Sequence, residues 1–211
     1  MPNAVKTPRI RLTPHERIEQ ILQAATVLIG RHGYYGLSLQ QVADEVGLTQ
    51  PGLLHYVHTK DGLLRLLVEQ GYDHRFDPET FAESGLPGSV HEEGLSFPAY
   101  LRFLVSENAR TPELIQLYMV LGAESASPEH PAHGYFINRP DAVWELYSGS
   151  AWRLPPEIGG WENMRPLVEM AIAAMDGLQI RLFRAPAIDL EAEWAAFESV
   201  LFPDPVWADY R

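Results

Sequence analysis

The chain of 211 residues contains no cysteine. That absence excludes disulfide scaffolds, cysteine-ligated zinc, iron–sulfur clusters and thiol catalysis. There is no apolar run of about 18 residues, so no membrane span is predicted. The polar stretch 1–12 lacks the apolar segment of a secretory signal, which makes the cytoplasm the expected compartment. The motifs GxGxxG, P-loop, GxSxG and HExxH are also missing, so we predict no catalytic residue, no cofactor and no enzyme.

The composition is that of a folded protein with an uneven distribution of charge. Apolar residues make up 46% and charged residues 21%, which is typical of globular chains. The net charge is −12, yet residues 1–60 carry six basic and four acidic side chains, against ten and twenty-four in 61–211. This pattern permits a nucleic-acid contact confined to the N-terminal part. Charge alone equally fits an acidic soluble protein without such a partner.

Four helices are predicted in the N-terminal third from their start and stop signals. Thr13 and Glu16 form a capping box for a helix over 14–32, which Gly33 ends. Ser38 opens a short helix that ends at Gly47, and Thr49 opens another over 50–57. A fourth helix follows over 60–76.

The rest of the chain is predicted to be helical after a break. Periodicity disappears over 77–96, which indicates a loop or linker. Helices are predicted over 98–109, 112–125, 132–152, 162–184 and 189–202, with Pro140 expected to kink or split the third. No strand-length alternation stands out, so the predicted fold class is all-α.

The two short helices joined at Gly47 are typical of a helix-turn-helix, whose second helix lies in the DNA major groove. Leu53 and Val57 can face the first short helix. Glutamine suits bidentate contact with adenine, so an outward Gln50 can read a base, while Thr49 or Tyr56 can contact phosphate. The alternative, a tight helical hairpin inside a bundle, is open on spacing alone.

The stretch 38–64 resembles the DNA-binding domain of the TetR/AcrR family of transcriptional regulators. The features that carry the resemblance are the turn Ala-Asp-Glu-Val-Gly at 43–47, the short helix after it, and Lys60 followed by Leu63 and Leu64. A second similarity lies at 175–179, Met-Asp-Gly-Leu-Gln, followed by Pro186. It is similar to the last two helices of many members, which form the four-helix bundle of a dimer.

The resemblance implies a DNA-contacting set. Lys60 is expected at a phosphate, where the positive end of its helix points the same way. Leu54 occupies a position that usually holds a tyrosine donating to phosphate; leucine cannot donate, and His55 or Tyr56 is the alternative donor. The full expected set is Ser38, Gln40, Thr49, Gln50, Pro51, Gly52, His55, Tyr56 and Lys60.

The resemblance also implies an organisation of five segments. They are a disordered or flexible basic arm (1–12), a three-helix helix-turn-helix domain (13–60), a connecting helix (61–76), a loop or linker (77–96) and a ligand-binding and dimerisation domain (97–211). The last two predicted helices are apolar on more than one face, which favours a homodimer. The expected dimer residues are Leu167, Ala171, Ala174, Leu178, Trp194, Phe197 and Leu201.

The middle helices are rich in large apolar side chains, which can line an effector cavity or fill an ordinary core. For the cavity, the expected lining is Phe103, Tyr118, Met119, Phe136, Trp144 and Tyr147, with Arg102, Glu107 and Glu124 as the nearest ionisable groups. Few charges occur in this set, so an apolar or aromatic effector is expected. His130 and His133 could share a metal, but Pro131 lies between them, and no metal site is predicted.

These expectations describe a dimeric repressor. It binds a pseudo-palindromic site on double-stranded DNA and is released by a small effector, with the connecting helix transmitting the signal. An activator is a variant of this hypothesis. The alternative from another class is an all-α effector-binding or enzymatic protein whose helix-turn-helix is only structural.

Overall fold

The computed structural model describes residues 12–71 and 76–211, apart from the side chains at 69–71. The predicted basic arm therefore lies outside the described residues except for Leu12, as do residues 72–75 of the predicted fourth helix. The described residues are mostly helical and contain only two strands of two residues each, which confirms the predicted fold class. Their α-helices are α1 (Pro14–Gly36), α2 (Leu39–Glu45), α3 (Gln50–Val57), α4 (Lys60–Gly71), α5 (Pro78–Glu83), α6 (Phe97–Arg110), α7 (Pro112–Glu124), α8 (His133–Ser148), α9 (Arg165–Arg184) and α10 (Leu190–Leu201).

Local capping accounts for where the first helices begin. At α1, the Glu16 amide donates to the Thr13 hydroxyl at 3.3 Å, and the Glu16 carboxylate accepts the Thr13 amide at 2.7 Å. Ser38 and Gln41 form the same reciprocal pair at α2. These bonds satisfy amides that have no partner within their own helix. The predicted starts of α1, α2 and α3 are therefore confirmed.

Gly33 marks the predicted end of the first helix, but the chain does not leave the helix there for good. Gly33 has φ +73°, a left-handed conformation that glycine adopts without steric cost. One further turn follows to Gly36, so α1 is kinked at Gly33. The kink turns Tyr34 away from the direction of the preceding helix and into the interior, where it is only 3% exposed.

Two features of the C-terminal part differ from the sequence expectation. The predicted loop 77–96 contains α5, whose first turn is capped by the Thr80 amide donating to Asp77 at 2.8 Å. A helix this short gives no readable periodicity. The expected split at Pro140 is wrong, because α8 runs through it as one helix, whereas the alternative of a kink stays a prediction. Pro140 lies on the exposed side of α8, where water can satisfy the carbonyl that loses its amide partner.

The N-terminal helices share one continuous core with the rest of the protein. α7 packs along α1, and the two helices approach closely at Gly30, where a Cβ would lie 3.4 Å from the backbone nitrogen of Leu117. α2 packs on α1 and α3, and α3 packs on α4. α7 therefore makes its most extensive contact with α1.

The C-terminal part is built around α6, which packs against α7 and α10. Its buried Phe97 and Tyr100 are surrounded by other aromatic rings, including those of Tyr147 and Trp152. Two short strands, β1 (Leu95–Ser96) and β2 (Trp152–Arg153), pair in parallel beside this cluster. The chain end folds back onto it, with the Ser96 hydroxyl donating to the Tyr210 carbonyl at 2.6 Å.

Candidate nucleic-acid interface

The turn between α2 and α3 has the geometry that the helix-turn-helix prediction requires. Gly47 has φ +65°, and a Cβ there would meet no other atom, so only the backbone conformation favours glycine. Leu53 and Val57 are buried against the neighbouring helices, as expected. The exposed residues of α3 are Gln50, Pro51 and His55.

Most of the expected DNA-contacting residues lie at the surface around α3. Gln50 and His55 are exposed, as are Pro51 and the two capping residues Ser38 and Thr49. Gln40 is exposed and its side-chain amide donates to Asp44 at 2.6 Å on the same helix. Three members of the expected set are half-buried: Gly52, Tyr56 and Lys60.

The half-buried members still border this surface. The amide of Gly52 donates to the Thr49 hydroxyl at 3.2 Å, so Gly52 belongs to the cap at the leading end of α3. Tyr56 packs its ring on the core and meets His55 edge to face, with ring centroids 5.5 Å apart. Tyr56 is therefore only partly at the surface, because its apolar body packs against the core.

The start of α4 lies directly against the end of α3. A Cβ at Gly62 would overlap the carbonyl oxygen of Val57, so only glycine permits this approach. The Gly62 amide also donates to the Thr59 hydroxyl at 2.8 Å, which caps α4. The sequence analysis did not single out Gly62, although this glycine determines how close Lys60 lies to α3.

Lys60 is held by an aromatic ring that the sequence analysis also missed. Its ammonium lies 4.5 Å from the centroid of Tyr34, a cation–π contact. The Tyr34 hydroxyl donates to the carboxylate of Asp61, the next residue of α4. Burial, and then this hydrogen bond, raises the pKa of the Tyr34 hydroxyl above its ordinary value, so it stays a proton donor.

Tyr34 is in turn held from the C-terminal part. Its backbone amide donates to Glu124 Oε2 at 2.8 Å, from the last residue of α7. A Cβ at Gly33 would overlap Glu124 Oε1, so the glycine leaves the space that the carboxylate occupies. The ring of His130 meets Tyr34 edge to face at 5.2 Å between centroids.

The two histidines considered as metal ligands are held by other contacts. His130 is buried; its Nδ1 accepts the Ala132 amide at 3.2 Å and its Nε2 lies 3.6 Å from Glu124 Oε2. Burial lowers the pKa of His130, an effect that nearby Glu124 opposes. His133 Nδ1 lies 2.7 Å from the Ser125 carbonyl. Among the described residues, no three His, Asp or Glu side chains converge on a point that could hold a metal.

The residues predicted to line an effector cavity are dispersed over several clusters. Tyr118 pairs with Phe136, with centroids 5.0 Å apart, and Trp144 stacks on Trp161 at 5.1 Å. Met119 is half-buried on α7. Phe103 packs against Phe81 instead. Long-range packing sends these rings in different directions, because neighbouring positions on one helix face different elements.

A small cavity does lie between α6, α8 and α9, where an effector was expected. Its volume is about 40 Å³, far below the roughly 300 Å³ that a bound drug-sized ligand needs. Only Tyr147 of the predicted set lines it. The complete lining is Phe76, Tyr100, Leu101, Leu104, Asn108, Arg139, Tyr147, Ile172, Met175 and Asp176.

The residues predicted for the dimer interface divide into two groups. Ala171, Leu178 and Trp194 are at most 1% exposed within a single chain, so they belong to the subunit core. Leu167, Ala174 and Leu201 are half-buried, and only Phe197 is well exposed. The apolar side chains that α9 and α10 expose are Met170, Ile180, Phe197 and Val200.

Comparison with known proteins identifies the N-terminal domain. Residues 21–67 match the family model for bacterial regulatory proteins of the tetR family. This match identifies the N-terminal domain as a tetR-family domain. The matched residues run from within α1 to within α4, so they contain the helix-turn-helix and Lys60.

Several solved structures, that of a TetR-like regulator among them, share the fold of most of the chain. GusR of Salmonella enterica is 15% identical with a TM-score of 0.61, covering 92% of this chain and 98% of that one. FadR of Bacillus halodurans, a fatty acid degradation regulator, is 18% identical with a TM-score of 0.58, covering 95% and 98%. A TetR-like transcriptional regulator from Rhodococcus sp. RHA1 is 18% identical with a TM-score of 0.58, covering 90% and 96%.

Two further findings are negative. No curated protein gives a significant match to the sequence. Within residues 12–71 and 76–211, no helix is long and apolar enough to cross a membrane.

Proposed function

We propose that this TetR-family protein is a dimeric, cytoplasmic transcriptional repressor. It binds a pseudo-palindromic site on double-stranded DNA through α3 and the start of α4, and a small apolar or aromatic effector releases it. No catalytic step and no cofactor are part of this proposal. The alternative, a helix-turn-helix that serves only packing, finds no support in the comparisons.

One observation carries the DNA-binding part of the proposal. The leading end of α3 exposes Gln50 and Thr49, and Lys60 begins α4, which packs against the other end of α3. A helix needed only for packing has no use for an exposed polar leading end with a cation on the helix that follows. The arrangement instead provides one base-reading amide and one phosphate-binding ammonium per subunit.

The dimer part rests on the exposed apolar side chains of α9 and α10. Met170 and Ile180 lie on one face of α9, separated by Ala173 and Gly177 at helical spacing. Phe197 and Val200 lie three residues apart on α10, which packs beside α9. A second subunit covering this patch would bring two copies of α3 to one DNA duplex.

The effector part rests on the cavity between α6, α8 and α9. Tyr100, Leu104 and Met175 give it an apolar wall, and Arg139 and Asp176 supply polar atoms at its edge. Of the ionisable groups expected to orient an effector, Arg102 instead pairs with Glu198 at 2.5 Å. The cavity is too small in this conformation, so an effector must favour a conformation with more room, and by linkage that conformation binds DNA less well.

The DNA-binding proposal is tested by selection from randomised duplexes, followed by titration of the enriched motif. Gln50→Ala should relax sequence preference by about 1–3 kcal/mol for each base that the glutamine reads in bidentate fashion. Lys60→Ala should weaken binding to all sequences alike and reduce the slope of log K against log salt by about one unit for each phosphate that the lysine neutralises. If no motif is enriched at modest salt, the repressor proposal is wrong.

A further inference from the structure

A chain of contacts links the C-terminal helices to the DNA-contacting residues through Tyr34. We propose that Glu124 of α7 is a positioning residue for DNA binding, acting through Tyr34 on Lys60 and Asp61. This inference rests on the proposed DNA-binding function and adds to it a defined route by which the C-terminal part controls DNA affinity.

The first link is the hydrogen bond between Glu124 and the Tyr34 backbone. The kink at Gly33 interrupts α1, and the Tyr34 amide finds the Glu124 carboxylate at 2.8 Å. Hydrogen bonds to an ionised acceptor are about twice as strong as neutral ones. Because a side chain at Gly33 would overlap the carboxylate, the end of α1 is shaped to receive Glu124.

The second link runs from Tyr34 to the first turn of α4. The Tyr34 ring supports the Lys60 ammonium at 4.5 Å, and its hydroxyl donates to the Asp61 carboxylate. Tyr34 therefore contacts two consecutive residues of α4 through two different groups. A shift of its backbone must move both groups, and with them the ammonium that is proposed to contact phosphate.

The packing of Tyr34 with Glu124 and His130 leaves Tyr34 little freedom to move independently of Glu124. Tyr34 is 3% exposed, and the ring of buried His130 packs against it from the α7–α8 connection. His130 Nε2 also lies 3.6 Å from the same Glu124 oxygen that accepts the Tyr34 amide. A movement of the end of α7 is thus transmitted to α4 through packed and hydrogen-bonded groups.

The consequence is a second connection between effector and DNA, besides the predicted one through α4 itself. α7 packs along α1 and carries Glu124 at its end. An effector that displaces α7 would withdraw the carboxylate, release Tyr34 and reposition Lys60. The coupling is reciprocal, so DNA binding would stabilise the position of α7 seen here.

The test is a double-mutant cycle between Glu124 and Lys60 on the selected DNA motif. Glu124→Ala should weaken binding by about tenfold and lower the salt slope by up to about two units per dimer, one for each displaced Lys60. In the double variant with Lys60→Ala, Glu124→Ala should cause little further loss of DNA affinity, because both changes remove the same phosphate contact. Glu124→Gln keeps an oxygen that can accept the Tyr34 amide and should recover most of the affinity. Glu113→Gln, an exposed glutamate at the start of α7, is the matched control.

Two results would overturn the inference while the DNA-binding function stands. One is a Glu124→Ala protein with the wild-type salt slope; the other is a Glu124→Ala loss that adds fully to that of Lys60→Ala. If Glu124→Ala does not fold, Glu124→Asp, with its carboxylate drawn back by one methylene, takes its place in the cycle. If the wild-type protein itself selects no motif, it is the proposed function that fails.

Discussion

Tyr34 uses three groups for three partners, and none of them follows from its position in the sequence. Its amide meets Glu124, its ring meets Lys60 and its hydroxyl meets Asp61. Glu124 lies 90 residues away along the chain. The one local signal was a glycine followed by two aromatic residues, which is typical of a helix end but does not identify the partners.

His130 gives a prediction at the same scale, because it is buried in the neutral form. Its Nδ1 accepts the Ala132 amide, a bond that protonation at Nδ1 would destroy. Its pKa is lowered from the ordinary value of 6.5, chiefly by burial. The unfolded chain therefore binds this proton at a higher pH than the folded one. Stability contributed by the neutral ring is present above pH 6.5 and is lost as the pH falls below it toward the folded-state pKa.

The expected result is a steeper fall in the melting temperature of the wild type than of His130→Asn between pH 7 and about pH 5. Asparagine removes the titrating group and can still offer an oxygen to the Ala132 amide. His32→Asn, at an exposed position near the end of α1, is the control for the loss of a histidine. If the melting temperatures of the wild type and of His130→Asn fall in parallel with pH, the prediction is wrong.

The helices α9 and α10 show what periodicity can and cannot decide about an element. Both are apolar on more than one side, and the sequence correctly indicates a surplus over one core contact. Periodicity does not say which side faces the subunit's own core. The structure assigns Leu178 and Trp194 to that core and leaves Ile180 and Phe197 at the surface.

This division predicts different outcomes for charges on the two sides of the same helices. Phe197→Asp or Ile180→Asp should give a folded monomer, because the side chains are about 40% exposed in a single subunit. Leu178→Asp should instead unfold the chain, because an unpaired carboxylate would be buried in the core. Sedimentation velocity measures the oligomeric state and circular dichroism the folding.

Ala142→Asp, an exposed alanine on α8, is the control for surface charge. A Phe197→Asp protein that sediments as the wild-type dimer would place the interface elsewhere. Unfolding of Phe197→Asp would show that this side chain supports the subunit itself.

At the scale of the whole molecule, one continuous core joins the helix-turn-helix to the C-terminal helices. The cavity between α6, α8 and α9 borders that core and is small, about 40 Å³. Under the proposed function an effector must enlarge this cavity, and the resulting displacement of helices would alter the positions of α3 and α4. A rigid protein with the same cavity could not respond.

The corresponding prediction concerns small apolar or aromatic molecules with one polar end. At about a hundred times its Kd, such a ligand stabilises the protein by about 2.7 kcal/mol, which raises the melting temperature of a chain of this size by roughly 5–10 °C. The same compound should displace the protein from its DNA motif. Leu104→Trp, which fills the cavity, should abolish the rise in melting temperature that the ligand causes. Ile137→Trp, at an exposed position on α8, should leave that rise unchanged.

A thermal-shift screen in which no apolar molecule raises the melting temperature would refute the effector proposal without affecting DNA binding. If the ligand raises the melting temperatures of Leu104→Trp and the wild type equally, the effector site lies in another part of the protein.

The sequence by itself determined the features that depend on neighbouring residues. The caps at Thr13, Ser38 and Thr49, the turn at Gly47 and the span of α3 were all predicted correctly, because they depend on bonds within a few residues. The resemblance to the TetR family rested on the same local pattern. It led to the set around Gln50, most of which is exposed, without any knowledge of packing.

Only the tertiary structure decided the features that depend on distant partners. It placed Glu124 on Tyr34, dispersed the aromatic rings expected in one cavity, and separated the buried Leu178 from the exposed Phe197. The physical reason is that apolar burial is non-directional, so a helix face rich in apolar groups specifies burial but not the partner. Which surfaces meet is settled by the packing of all helices together, and no short segment of the chain contains that information.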